Sequence, residues 1–390
     1  MKHRFFPAIL LVFAGLLSLY IRNIDDKEFT HIGQAMNTII RITSFGINAV
    51  DDAYSLLQQL DNSLSMYNPS SDISMINSNA GIKPLKVHDD TVEVIRHSVR
   101  LHDLTHGVFN PLIGSVTRLW KINRQDNSIP SPQSLDEAVK LSAIDNLQIS
   151  GDTVFLKHNG CVLDLGGIAK GFASEKIADL LKSKGVQSAM IDLGGNVYAV
   201  GKKTDGSNWR IGVRNPLEPY GSPALVLDVH DCAVITSGSY ERFKTVDGKK
   251  YSHFFDTKTG NSIMSDLLSV TVITPDGSLA DGLATAFMIS GVDEAFNVLS
   301  AMENVPGVIF ISHDGITATD NLRNTISAVI SSTSLTFREV QKVPAFPPCS
   351  PAPASSSSVS SPSSPLSFQL QVRPSHDSIS PAPSIPLHAL

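Results

Sequence analysis

The sequence predicts an α+β fold, and three observations carry that expectation. Strand-like and helix-like stretches are interspersed along the chain without the regular βαβ alternation of a doubly wound sheet. Its 390 residues have ordinary apolar content, 42%, enough for one large domain with subdomains or for two domains. The eight residues Asp164-Leu165-Gly166-Gly167-Ile168-Ala169-Lys170-Gly171 stand where a strand-like lead, Cys161-Val162-Leu163, gives way to a helical pattern, Ala173, Ile177, Leu180 and Leu181. At such a junction the glycines either supply positive φ in a tight turn or leave free N–H groups for an anion. The stretch fits neither standard phosphate loop: no Ser or Thr follows the lysine, and the GxGxxG spacing is absent.

Lys2, His3 and Arg4 precede an apolar run from Phe5 to Tyr20, the order of an export signal. The run is long for a cleaved signal and short of the roughly 20 residues a spanning helix needs. Residues 1–25 are therefore expected to be a signal peptide or membrane anchor, with the bulk of the chain sent across the membrane. No cysteine follows Leu16-Leu17-Ser18, so a lipoprotein cleavage site is excluded.

The globular part is expected over 29–340. From Phe29 to Ile47, Ile39, Ile40 and Ile42 among Thr38, Arg41 and Thr43 read as a strand, with Ala35-Met36-Asn37-Thr38 at its start. Asn48 is placed to cap a helix through Val50, Tyr54, Leu57, Leu60 and Leu64, which ends in the turn Met66-Tyr67-Asn68-Pro69. A second helix is expected from Asp90, with Glu93 completing a capping box, to Leu104. It delivers the chain to His106-Gly107-Val108-Phe109-Asn110-Pro111. Residues 121–135, with Pro130 and Pro132, read as a loop before a helix from Ser134 to Leu141.

Beyond the glycine stretch and its helix, Ser188 to Leu193 and Val197 to Val200 read as a hairpin about Gly194-Gly195. Further strands are expected over 209–213, 225–229 and 268–274, then helices from Ser278 and from Val292 to Met302. A last strand pair, 307–312 and 317–319, precedes the end of the pattern near Phe337. Residues 344–390 are rich in Pro and Ser without apolar periodicity, a composition that predicts disorder.

A net charge of −6 offers no basic footprint, which disfavours nucleic-acid binding. Cys161, Cys232 and Cys349 lie far apart without CxxC spacing, so neither a zinc site nor a disulfide framework is indicated, although one pair could bridge. Asp281 and Thr285, one helical turn apart, put two oxygen ligands on one face, which suits Mg2+. The other reading has Asp281 stabilising a helix start after Ser278. His253 in Ser252-His253-Phe254-Phe255-Asp256 is a candidate general base or a structural histidine. No G-x-S-x-G elbow is present, which sets a serine hydrolase aside.

Taken in order, these stretches resemble the ApbE family of FAD:protein FMN transferases. The matching motifs are Met36-Asn37-Thr38, Ser65-Met66-Tyr67, Phe109-Asn110-Pro111 with Gly114 and Leu119-Trp120, Asp164 to Gly171, and Ile191 to Asn196. Thr236-Ser237-Gly238, His253 to Gly260, and Ala280-Asp281 with Thr285 complete the set. The resemblance implies an α+β fold related to the T-fold and an exported or anchored protein on the periplasmic face of the bacterial inner membrane. It implies Mg2+-dependent splitting of FAD, with FMN joined to a threonine or serine of an acceptor protein and AMP released. Met36, Tyr67, Val108, Phe109, Asn110, Asp164, Lys170 and Phe255 would line the FAD site. The Gly167 carbonyl, Asp281 and Thr285 would hold the metal, and His253 would activate the acceptor hydroxyl. The acceptors implied are flavoprotein subunits of membrane electron-transfer complexes. Asn37, Asn110 and Thr257 depart from the usual glycine, aspartate and proline of the family; Asn tolerates left-handed geometry best after Gly. Two other functions fit the same residues: an FAD pyrophosphatase that gives FMN and AMP, and a flavin-binding protein without turnover.

Overall fold

The computed structural model describes residues 27–342, apart from 123–127, 219–221, 241, 264 and 331–332. The expected leader over 1–25 and the Pro/Ser stretch over 344–390 lie outside the described residues. In chain order the elements begin with β1 (Glu28–Ala35), β2 (Thr38–Phe45), α1 (Val50–Leu64), α2 (Asp72–Ser78), β3 (Leu85–Lys86) and α3 (Asp89–Leu104). Then come α4 (Gly114–Trp120), α5 (Pro132–Leu141), β4 (Leu147–Ser150), β5 (Thr153–Leu156), α6 (Ala169–Ser183), β6 (Ser188–Leu193) and β7 (Val197–Gly201). These are followed by β8 (Trp209–Arg214), β9 (Pro223–Val229), β10 (Cys232–Gly238), β11 (Phe243–Val246), β12 (Lys249–Ser252) and β13 (Leu267–Thr274). The series ends with α7 (Gly277–Ser300), β14 (Gly307–Ser312), β15 (Ile316–Thr319), β16 (Ile326–Val329) and β17 (Leu335–Arg338).

The α+β class holds. A nine-stranded sheet runs β1-β2-β6-β7-β10-β13-β14-β15-β17, antiparallel except for the parallel β15–β17 pair. Its central strands β13 and β14 read as apolar runs because both of their faces are covered. Side chains alternate across a strand, so Val308 and Phe310 enter a core shared with Phe172, Leu283 and Phe287 of α6 and α7. Ile309 and Ile311 enter a second core, against Trp209, Ile211, Leu225 and Leu227 of the small sheet β16-β9-β8. A third cluster gathers Val116 and Trp120 of α4, Leu135 and Ala138 of α5, and Phe255.

Several local expectations are corrected. The first predicted strand is two, because Met36 (φ 50) and Asn37 (φ 59) form a two-residue left-handed turn between β1 and β2. The β6–β7 hairpin stands as expected. The cap residue of α1 is Ala49, with no side-chain bond, so Asn48 does not cap it. The capping box expected at Glu93 is not formed either. Asp72 Oδ2 satisfies the start of α3 from outside by accepting the His88 N–H (2.9 Å) and the Thr91 hydroxyl (2.7 Å), while Glu93 pairs with Lys176 (2.6 Å). Helix α5 begins at Pro132 rather than Ser134, since the Ser131 hydroxyl accepts the Ser134 N–H and proline suits the first helical position. The two helices expected over 278–302 run end to end through a break at Gly291 (φ 82).

The site depends most on how closely α6 and α7 pack. A Cβ on Gly171 would run into the Gly277 carbonyl oxygen and lie 2.6 Å from Asp281 Cβ. Gly166, Gly167 and Gly171 are all absent from the left-handed region, so the positive-φ reading of these glycines is corrected: Gly171 is required by close approach.

Candidate functional site

The Asp164–Gly171 stretch meets the first turns of α7 from more than a hundred residues away. Asp276 caps α7 by accepting the Leu279 N–H at 2.7 Å, which leaves Asp281 out of the capping role and inside the helix. Asp281 is 3% exposed, with Oδ2 accepting the Gly171 N–H (2.8 Å) and Oδ1 accepting an N–H of the Asn196 amide (3.2 Å). One turn later the Thr285 hydroxyl lies 3.3 Å from the Gly167 carbonyl oxygen. The Phe109 ring packs beside Thr285 against Gly167, 3.3 Å from where a Cβ would stand.

This donor set fits a hard cation. A distance of 3.3 Å is long for a hydroxyl hydrogen bond. It is close to the roughly 3 Å that separates neighbouring oxygens in an octahedral Mg2+ shell of about 2.1 Å radius. A carboxylate has about four lone-pair positions, so the two N–H groups on Asp281 leave it able to accept more. Carbonyl, hydroxyl and carboxylate oxygens in this combination suit hard divalent cations, Mg2+ among them with Ca2+ and Mn2+, over softer metals.

Asp164 lies just upstream, its N–H on the Pro111 carbonyl (2.8 Å) and its Oδ1 accepting the Gly166 N–H (2.9 Å). Burial pushes its carboxyl pKa up, against the Gly166 N–H, the Thr117 hydroxyl and the charges of Arg242 and Arg118, which pull it down.

His253 follows β12 directly. Its backbone N–H donates to the Arg242 carbonyl (3.3 Å), and its Nδ1 lies 3.0 Å from the same oxygen. A carbonyl only accepts, so Nδ1 carries the proton and Nε2 presents the lone pair. Burial pulls the imidazole pKa down to about 4; the Arg242 carbonyl opposes this, and the charges of Arg242 and Lys170 add to it. The ring is therefore neutral near pH 7, with a defined tautomer, and within the field of the lysine on the first turn of α6.

Comparison with known proteins decides the family. Residues 36–309 match the model of the ApbE family. The chain belongs to the ApbE family. It is 35% identical over 314 residues to the FAD:protein FMN transferase of Treponema pallidum, covering 74% of this chain and 85% of that protein. The FAD:protein FMN transferase of Vibrio cholerae is 30% identical over 66% of this chain and 78% of its own length. Among solved structures, the ApbE protein of Thermotoga maritima superposes with a TM-score of 0.71 at 26% identity, over 77% of this chain and all (100%) of that one. The flavin transferase ApbE of Vibrio cholerae gives 0.67 at 28% identity, over 75% and 96%.

The remaining residues implied by likeness to ApbE divide into two groups. Val108 is half-buried and precedes Phe109, which is 4% exposed and backs Gly167. Met36 sits in the left-handed hairpin turn with its N–H on Asp61 Oδ2 at 2.8 Å, and Tyr67 is 64% exposed after α1. Asn110 and Phe255 make contacts with supporting elements. Asn110 accepts the Leu112 N–H (2.8 Å) and donates to the Ser142 carbonyl (2.9 Å), so its amide ties its own loop to the end of α5. Phe255 stacks on Trp120, centroids 5.9 Å apart, inside the third apolar cluster. Sequence reasoning names no site role for Asn196, Thr117 or Arg242, although Asn196 closes the Ile191 to Asn196 stretch, which reads both as a hairpin connection and as one of the motifs resembling the family.

Proposed function

We propose that this ApbE-family chain transfers the FMN half of FAD to a threonine or serine hydroxyl of an acceptor protein and releases AMP. The observation that carries the proposal is the meeting of Gly167 with Thr285, and of Gly171 with Asp281, across 118 and 110 residues of sequence. That arrangement gathers oxygen ligands where α6 begins and beside Lys170. Bound at Gly167, Asp281 and Thr285, Mg2+ would neutralise charge on the diphosphate oxygens. Lys170 adds a fixed positive charge to the same region, which favours the anion in the ground state and more so as charge develops.

The hydroxyl oxygen of the acceptor attacks the phosphorus of the FMN half, and the bond from that phosphorus to the bridging oxygen breaks. AMP leaves with the bridging oxygen and its electron pair. His253 Nε2 takes the hydroxyl proton, while the Arg242 carbonyl holds Nδ1–H and so fixes the tautomer. A pKa near 4 makes His253 a weak base in the resting protein. It suits proton removal only as the oxygen–phosphorus bond forms and the hydroxyl becomes acidic, which disfavours idle deprotonation of water. Met36, Tyr67, Val108, Phe109 and Asp164 are assigned to the flavin and adenine contacts. Asn110 and Phe255 act at one remove, through the loop and the aromatic cluster that support them.

The proposal extends to location and partners. The basic start and apolar run of residues 1–25 support export to the periplasmic face of the inner membrane. Acceptors would then be flavoprotein subunits of membrane electron-transfer complexes. The test is incubation of the protein with FAD, Mg2+ and a candidate acceptor, followed by a denaturing gel and an AMP assay. Fluorescent acceptor with AMP is the expected result. AMP with only free FMN would assign hydrolysis instead, and intact FAD would assign binding alone.

A further inference from the structure

We infer that Asn196 is a positioning residue for the metal-binding carboxylate, so that the turn between β6 and β7 sets Mg2+ affinity; this rests on the metal site of the proposed function. Asn196 is 3% exposed, and its amide donates to Asp281 Oδ1 at 3.2 Å, opposite the Gly171 N–H on Oδ2. The two donors come from different elements, one from the sheet and one from the start of α6. Held at both oxygens, the Asp281 carboxylate loses rotation about its last bond. The lone pairs that remain are then available to a cation held with Thr285 and the Gly167 carbonyl.

The turn does not need this side chain for its own shape. The backbone carbonyl of Asn196 accepts the Leu193 N–H at 2.9 Å, and Asp192 Oδ1 accepts the Gly195 N–H at 2.8 Å. Gly194 (φ 70) and Gly195 (φ 95) supply the left-handed residues. Local turn formation is therefore complete without the amide, and its contact with Asp281, 85 residues away, is what its burial secures. Partners that orient a ligating carboxylate typically alter metal affinity by about 10–100-fold when removed.

The test is Mg2+ titration by calorimetry of the full-length protein and of Asn196→Leu, which keeps the branching at Cγ and removes the donor. Asn196→Ser, with a shorter donor, is the second variant should the first be unstable. The expected result is Mg2+ binding weakened about 10–100-fold in Asn196→Leu and less in Asn196→Ser, with FAD affinity in EDTA within twofold of wild type and the transfer reaction restored at high Mg2+. Unchanged Mg2+ affinity, or an equal loss of FAD affinity in EDTA, would overturn the inference. Absence of Mg2+ binding by the wild-type protein would instead refute the metal site on which it rests.

Discussion

Replacing Gly171 by alanine sets two known magnitudes against each other. Inside a helix alanine is favoured over glycine by about 1 kcal/mol, so an uncrowded site would gain stability. At Gly171 the new methyl would run into the Gly277 carbonyl oxygen and lie 2.6 Å from Asp281 Cβ. Backbone of a facing helix cannot rotate aside as a side chain can, so α6 and α7 must separate. Overpacking of this kind costs about 1–3 kcal/mol, and occasionally more. Because the clash is with backbone, the upper end of that range applies, about 3 kcal/mol, and the expected net loss is about 2 kcal/mol, measured as a lower urea midpoint with an unchanged slope. Moving α6 also draws the Gly171 N–H from Asp281, so Mg2+ affinity should fall with it. Gly282→Ala is the comparison: there the methyl meets the end of the Leu101 side chain, which can move, and the loss should be smaller. A Gly171→Ala protein as stable as wild type would refute the close-packing argument.

Acidification gives a second prediction: His253 contributes stability that is present above the unfolded value of 6.5 and lost as pH falls through about 4, because only the unfolded chain takes up the proton between them. Asp164, raised by burial, acts in the opposite direction, so the His253 contribution is read by comparing urea midpoints of wild type and His253→Gln from pH 7 to 4; parallel curves would contradict it. Phe255→Ala should cost about 3 kcal/mol or more of stability by opening a cavity against Trp120. A stable variant that instead loses only FAD affinity would return Phe255 to the flavin surface.

Much of the fold was legible because burial on both faces leaves a strong mark. The runs at β13 and β14 announce central strands, and Gly194-Gly195 announces a left-handed connection. The β1–β2 hairpin was hidden because its left-handed residues are Met36 and Asn37, neither of them glycine. Helices α2 and α4 were missed for a different reason. Each has seven residues, too few for a periodic signal, and α2 is held by distant bonds such as those between the Asn77 amide and both backbone groups of Leu163.

At the site, likeness to a family identified the motifs, and periodicity paired Asp281 with Thr285. Sequence alone could not set the capping role of Asp281 aside, because that depends on Asp276 being the cap. Nor could it show that Gly171 answers a crowding constraint from α7, or that Asn110 and Phe255 spend their side chains on supporting contacts. These are long-range facts, set when separate elements meet.

The central claim is that His253 takes the proton of an acceptor hydroxyl during FMN transfer. It is tested most directly by His253→Ala with FAD, saturating Mg2+ and an acceptor that wild type labels, reading covalent flavin on the acceptor after a denaturing gel. The account predicts a folded variant that binds FAD with near wild-type affinity and yields little or no fluorescent acceptor. Labelling at the wild-type rate would contradict it.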